Sequence, residues 1–185
     1  MKHFFVLIIF LVSTSAFAGD YYQSRIDTYD PVSGLYYKAV EATPGGGFLT
    51  SKTSSNVVAN IAIFDPAKET TALLFREPQK DGISMFLFET GIKDGGIEFN
   101  GADYSGVVLN NTRIAKREPR DKLLIGVRNK DLKEIILFVS DKRGVHLKKL
   151  VAIPSSADWH IDVKNSKLRV VHQTGKGIRI ESYVW

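Results

Sequence analysis

Residues 134–150 read EIILFVSDKRGVHLKKL, a stretch whose composition changes from strand-forming to turn-forming and back again. Glu134–Ser140 is rich in β-branched and aromatic side chains, which favour strands. Asp141 and Gly144 favour a turn, because aspartate accepts hydrogen bonds from backbone amides ahead of it and glycine adopts the left-handed conformation that closes a hairpin. Val145–Val151 restarts a strand. The stretch therefore predicts a β-hairpin.

Short strands separated by turns are predicted along most of the chain. Turn residues such as Asp65-Pro66 and Asn100-Gly101 interrupt the apolar runs, and no window of about a dozen residues repeats at the helical period. We therefore predict an all-β protein built from antiparallel strands. The predicted strands are Val57–Phe64, Thr71–Phe75, Ser84–Phe88, Leu123–Val127, Glu134–Ser140, Val145–Val151, Trp159–Val163, Leu168–His172 and Ile178–Val184.

Four aspartates recur at a nearly constant interval in this pattern. Asp30, Asp65, Asp103 and Asp141 are separated by 35, 38 and 38 residues, and each stands between two stretches readable as strands. We expect each of them to cap a turn, with Gly144 closing the last one. A period of this length is typical of repeated β-units such as propeller blades. The interval predicts antiparallel β-repeats in a propeller-like arrangement of about four units, complete, incomplete or open.

The hairpin of residues 134–150 resembles a repeat of exported TolB-like β-propeller proteins of unknown function. Asn60 to Leu74 resembles the same hairpin with Asp-Pro in its turn, and Trp159 to Trp185 is similar to further blade strands. The chain lacks the Ser-Pro-Asp-Gly signature common in such blades, which leaves an open blade array, a propeller completed by a second chain and an irregular sandwich as alternatives. The resemblance implies a binding or scaffold role in the bacterial envelope.

Residues 1–18 have the features of an export signal. A basic start at Lys2 and His3 is followed by the apolar run Phe4 to Val12 and by the small-x-small pattern of Ala16 to Ala18. The apolar run is about half of the roughly 20 residues that a membrane span requires. We predict a signal peptide at residues 1–18 and a single domain at residues 19–185, periplasmic or secreted, with no transmembrane helix. The chain contains no cysteine, so its fold depends on packing without disulfides.

Charge and aromatic content point to two kinds of candidate surface. The formal net charge is +5, and basic residues gather at 116–122, 142–143 and 148–149. They form either a basic face for an anionic polysaccharide or lipid headgroup, or ordinary solvated loops and strands. Nucleic acid is not an expected partner, because the chain is exported and carries no aromatic-basic recognition motif. Tyr21, Tyr22, Tyr36 and Tyr37 form either a sugar-stacking patch or part of the β-core.

One group of residues has the chemistry of a metal or proton-transfer site. Asp158, His160 and Asp162 alternate along a predicted strand and therefore share one face, where they could hold a divalent cation. The favoured interpretation is a hydrated strand face or turn-capping aspartates. Motifs for a serine nucleophile, a zinc protease or a phosphate loop are absent from the sequence. We therefore predict no catalytic, cofactor-binding or metal-binding residue, no cofactor and no enzymatic activity.

The predicted function is a non-catalytic binding or scaffold role for an exported soluble β-repeat protein, with an envelope protein or a polysaccharide as partner. Two alternatives remain. A small outer-membrane β-barrel is one, since Ile178 and Ile180 alternate with Arg179 and Glu181 as lipid-facing strands do. A metal-assisted hydrolase that uses the Asp158 face is the other. The sequence does not predict the oligomeric state.

Overall fold

The computed structural model describes residues 26–42, 57–93, 96–101, 108–109, 117–175 and 177–185. The predicted signal peptide, Tyr21, Tyr22 and the turn at Asp103 lie outside the described residues. Within them the chain forms strands and turns and no helix. The strands are β1 (Thr28–Asp30), β2 (Leu35–Ala42), β3 (Val57–Asp65), β4 (Thr70–Leu73), β5 (Ile83–Lys93), β6 (Gly96–Gly101), β7 (Val108–Leu109), β8 (Leu123–Asn129), β9 (Glu134–Ser140), β10 (Lys148–Pro154), β11 (Asp158–Asp162), β12 (Lys167–Thr174) and β13 (Gly177–Val184).

These strands form three sheets, which confirms the all-β prediction. Sheet A has the order β1-β2-β3-β4 and sheet B the order β10-β9-β8-β5-β6. Sheet C consists of the antiparallel strands β13-β12-β11, with the two-residue β7 running parallel to β11 at its edge. None of the three closes or curls in the described part of the chain.

Sheet B is the middle layer of the fold. Side chains alternate along β5, so that Phe86 and Phe88 face sheet A while Met85 and Leu87 face sheet C. Each pair lies in a separate hydrophobic cluster, and both clusters contain fully buried residues from the neighbouring sheet. Because sheets A and C each pack on one side only, their outer faces are not covered by another sheet of the described residues.

The spacing of the turn aspartates predicted about four repeat units, but these units do not correspond to the sheets of the structure. Asp30 ends β1 and Asp65 ends β3, so both belong to sheet A, whereas Asp141 follows β9 in sheet B. The described residues therefore contain three sheets where the interval predicted about four units. The strands that precede these aspartates differ in length, from three residues in β1 to nine in β3, and neighbouring turns can belong to the same sheet.

The hairpin of residues 134–150 has a longer connection than its sequence predicts. Its first strand has the predicted bounds, but β10 begins at Lys148 and not at Val145. The carboxylate of Asp141 accepts the amide of Val145 at 2.8 Å, and His146 adopts a left-handed φ of 61°. These two features extend the turn by about three residues before the ladder with β9 begins.

We expect Gly144→Ala to destabilise the protein more than Gly34→Ala. Both glycines have a positive φ, so alanine costs roughly 1–2 kcal/mol of backbone strain at either position. Only at Gly144 does an added Cβ meet another side chain, at 2.9 Å from Cδ1 of Ile63, whereas nothing lies within 4 Å at Gly34. Overpacking adds on the order of 1–3 kcal/mol. Denaturant unfolding measures both; equal losses would contradict the close packing of this loop on sheet A.

Candidate functional site

The outer face of sheet A carries a row of three aromatic side chains. Tyr29 on β1 lies opposite Tyr36 on β2, and Tyr36 lies opposite Phe64 on β3. Their exposed fractions are 45%, 49% and 37%. The ring centroids of Tyr29 and Tyr36 are 4.6 Å apart and those of Tyr36 and Phe64 are 6.2 Å apart, with the planes tilted by 41° and 47°. We call these three residues the aromatic row.

Side chains alternate along β2, so only one of the neighbouring residues Tyr36 and Tyr37 lies on this face. Tyr36 points outward, while Tyr37 is buried against Phe86 and Phe88 with ring centroids 5.0 and 5.1 Å away. The hydroxyl of Tyr37 donates a hydrogen bond to the main-chain oxygen of Lys142 at 3.0 Å. Burial, reinforced by the charge of Asp30, raises the pKa of Tyr37. Tyr36 is therefore a surface residue and Tyr37 a core residue.

Charged groups flank the aromatic row. Lys38 follows Tyr36 by two positions on the same face of β2, and its ammonium pairs with the carboxylate of Asp27. Asp27 also accepts the amide of Ala39 at 2.8 Å. Partial burial alone would raise the pKa of Asp27, but the hydrogen bonds from Lys38 and Ala39 outweigh it and hold that pKa below its usual value. The surface thus combines ring faces with a fixed carboxylate and an exposed ammonium group.

The predicted metal or proton-transfer group lies on the outer face of sheet C. Asp158, His160 and Asp162 alternate along β11 as expected. Asp162 caps the turn between β11 and β12, where it accepts the amide of Asn165 at 3.0 Å and the guanidinium of Arg169 at 2.8 Å. Hydrogen bonds from Asn165 and then from Arg169 lower the pKa of Asp162 to about 2. Its carboxylate is therefore already engaged, and stays ionised, in the structural turn.

Asp158 lines an open cleft of about 270 Å³ at the other end of β11. His172 also lines it; its Nε2 has no hydrogen bond and lies 3.6 Å from an oxygen of Glu181. Among the residues that the structure describes, no group of three or more His, Asp or Glu side chains is arranged to hold a metal ion. The lining residues are Pro154, Ser156, Ala157, Asp158, Val171, His172 and Gln173.

Three of the four periodic aspartates lie in turns that the structure describes. The carboxylates of Asp30 and Asp65 each accept the amide two residues ahead, at 3.2 and 3.1 Å, and that of Asp141 accepts the amide four residues ahead. Asp30 and Asp65 also pair with Lys142 and Arg143, which stand side by side after Asp141. Two turns of sheet A are therefore fastened to the long turn of sheet B by ion pairs.

Several predicted basic-surface residues are engaged inside the protein. Arg117 binds the buried carboxylate of Glu89 with two nitrogens, at 2.6 and 2.7 Å. The amide of Arg120 and the indole nitrogen of Trp185 donate to the same carboxylate at 2.7 and 2.8 Å. Burial, together with the charges of Arg120 and Lys148, lowers the pKa of Lys122. Much of the basic cluster thus supports the fold and does not form an open cationic face.

The sequence did not lead us to predict that Glu89 and Trp185 are buried and hydrogen-bonded to each other. Glu89 interrupts the apolar run of β5, and a carboxylate inside such a run is the one signal that pointed to a buried, paired charge. Trp185 is fully buried, which its position after an exposed strand does not indicate.

Comparison of the chain with family models, with curated proteins and with solved structures gives no match. The resemblance to TolB-like repeats therefore stays a prediction. Within the described residues, no helix is long and apolar enough to cross a membrane.

Proposed function

We propose that the protein is an exported, non-catalytic binding protein of the bacterial envelope, and that it presents the outer face of sheet A to a polysaccharide. The observation that carries this proposal is the aromatic row. Aromatic ring faces are apolar and electron-rich, so they suit the C–H faces of pyranose rings. Three such rings in line across three strands match an extended chain of sugars better than a single small molecule.

The flanking charges support the same ligand class. Binding sites usually combine apolar and aromatic contact area with a few well-placed polar groups that fix orientation. The carboxylate of Asp27 and the ammonium group of Lys38 lie beside Tyr36 and can accept from and donate to sugar hydroxyls. In the part of the chain that the structure describes, the face is an open sheet surface, which leaves both ends of a bound chain free.

The finer architecture is proposed as an open array of three blade-like sheets. Sheet A is a four-stranded antiparallel meander in sequence order, which is the arrangement of a propeller blade, and the three sheets stack face to face. In this arrangement the two outer sheets have free faces suited to contact with partners, which supports a binding or scaffold role.

The engaged state of Asp162 supports a non-catalytic role over the metal-assisted hydrolase. Both oxygens of the Asp162 carboxylate already accept hydrogen bonds, from Asn165 and Arg169, which a metal ion would have to displace. With a pKa of about 2, Asp162 is also not a proton donor near neutral pH. We propose a periplasmic or secreted location for the protein. Fractionation of the host cells tests it: recovery from the periplasm or medium supports a soluble exported protein, and release from washed membranes only by detergent would favour an outer-membrane protein instead.

We expect Tyr36→Ala to weaken binding to peptidoglycan sacculi roughly five- to thirtyfold, because truncating an aromatic contact residue costs on the order of 1–2 kcal/mol. Tyr36→Phe should bind as the wild type does, since the ring face is kept. Cosedimentation with washed sacculi measures the affinity, and Leu132→Ala, at an exposed apolar residue in the turn between β8 and β9, is the control. Wild-type protein that does not sediment, or equal sedimentation of wild type and Tyr36→Ala, would contradict a polysaccharide ligand and direct the search to a protein partner by crosslinking.

A further inference from the structure

The edge strands of the three sheets differ in how open they are to pairing. In the described residues, β1, β4, β6 and β7 contain six residues or fewer. The edge strand β10 has a bulge after Lys149, two exposed lysines and Pro154 at its end, all features that discourage pairing with another chain. These five edges therefore have the protections usual in soluble β-proteins.

The sixth edge, β13, has none of these protections. It is eight residues long, contains no proline and no lysine, and pairs with β12 along its whole length without a register shift. Ile178, Ile180 and Val184 point outward from the sheet with exposed fractions of 70%, 54% and 63%. No described strand lies on the other side of β13. A long, regularly paired edge strand with an apolar outer face is a template for an added strand.

The sequence of β13 is complementary to itself. Two copies of a strand that pair antiparallel about a twofold axis place one residue opposite its own copy. The residue before it then lies opposite the residue after it in the other copy, and the reverse. With Ile180 on the axis, Arg179 of each copy lies opposite Glu181 of the other, and the two isoleucines meet on the outer face. Moving the axis to Arg179 or to Glu181 places like charges opposite each other, which is unfavourable. Charge therefore selects one register.

We infer that β13 is a homodimer interface, in which two copies of this chain pair antiparallel with Ile180 at the twofold axis and join their two C sheets into one continuous sheet. Arg179 already lies 2.7 Å from Glu181 within one strand, so pairing brings four charges of alternating sign together. The outward residues of β13 and Val171 of β12, which lies opposite Ile180, form a shared apolar ridge. The aromatic row lies on sheet A, whereas this interface lies on sheet C, so the inference is independent of the proposed function.

The charge pattern gives a direct test by sedimentation equilibrium. A contact between two edges is small, so we expect the wild type to dimerise with a Kd between about 1 µM and 1 mM. Arg179→Glu places two pairs of carboxylates across the axis, and Glu181→Arg places two pairs of guanidinium groups there; each should raise the Kd at least about tenfold. An equimolar mixture of the two variants restores opposite charges at every pair and should form a heterodimer. Leu132→Glu introduces a charge at an exposed position in the turn after β8. It is the control and should dimerise as the wild type does.

Three outcomes would overturn the inference. The first is a wild-type protein that stays monomeric up to about 1 mM, the weak limit of the expected Kd. The second is a pair of charge variants that dimerise as the wild type does, or whose mixture does not associate. The third is a monomer in which the amides of β13 that point away from β12 are protected from hydrogen exchange, because their protection without dimerisation would mean that another segment of the same chain covers this edge. Circular dichroism checks that both variants are folded.

Discussion

Lys142→Met is expected to lower the free energy of unfolding by about 3–5 kcal/mol, because it removes one partner of a buried ion pair. The side chain of Lys142 is 1% exposed, and its ammonium group lies 2.8 Å from an oxygen of Asp30, which is fully buried. The same group donates to the main-chain oxygen of Glu89 at 2.6 Å. Methionine has a similar shape, so the change removes the charge and hydrogen bonds with little loss of packing.

The loss is large because Lys142→Met leaves the buried carboxylate of Asp30 without its counter-charge. A carboxylate buried without a counter-charge is penalised far more than one exposed to water. For a protein of this size the change corresponds to a fall in Tm of roughly 6–20 °C. Differential scanning calorimetry and denaturant unfolding measure it, and Lys149→Met, at an exposed lysine of β10, should change stability by no more than about 0.5 kcal/mol.

A double variant separates the ion pair from the packing of its side chains. Asp30→Asn keeps a side chain that can still cap the turn between β1 and β2 while it removes the unpaired charge. Asp30→Asn combined with Lys142→Met should therefore be more stable than Lys142→Met alone, and the two changes should not be additive. If the double variant loses the sum of the two single losses, the pair is not the source of the effect.

Local features of the fold could be predicted from the sequence, since the formation of strands and turns depends on residues that are close in sequence. The bounds predicted for β9 are those observed, and the aspartates predicted to cap turns do so wherever the structure describes them. Period-two alternation also shows that Tyr36 and Tyr37 face opposite ways. It does not show which one faces the core, because that depends on the sheet that packs against β2.

The grouping of strands into sheets could not be predicted, because it depends on pairing between distant residues. β5 pairs with β8 although β6 and β7 lie between them in sequence. No local pattern encodes that pairing, and the spacing of the aspartates suggested about four repeat units, whereas the described residues form three sheets. The buried charges were missed for a related reason: Glu89 and Lys142 lie inside only because their partners arrive from other segments, and isolated charges are normally exposed.

Glu89→Gln is the second substitution with a large expected effect, again about 3–5 kcal/mol near neutral pH. The carboxylate of Glu89 receives four hydrogen bonds, from two nitrogens of Arg117, the amide of Arg120 and the indole of Trp185. A neutral amide can accept only part of these and leaves the guanidinium of Arg117 without its counter-charge. Because the bonds join β5, the segment before β8 and the residue after β13, their loss affects sheets B and C together.

The pH dependence distinguishes the charge of Glu89 from its shape. Burial alone would raise the pKa of Glu89, but the bonds from Arg117, from the amide of Arg120 and from Trp185 outweigh it and hold the pKa below its ordinary value of 4.5. A carboxylate whose pKa is lower in the folded protein stabilises the fold above the unfolded pKa, and this stabilisation is lost as the pH falls through the folded pKa. The difference in unfolding free energy between wild type and Glu89→Gln should therefore be constant near neutral pH and shrink below about pH 4.5.

Measuring a difference removes the contribution of the other carboxylates. Asp27, Asp65 and Asp162 also have lowered pKa values, but they are present in both proteins and cancel. Glu118→Gln, at an exposed neighbour of Arg117, should cost no more than about 0.5 kcal/mol and serves as the control. A stability difference for Glu89→Gln that does not change between pH 7 and pH 3 would mean that the variant loses shape or packing. A difference that shrinks with falling pH identifies the ionised carboxylate as the group that holds Arg117 and Trp185 in place.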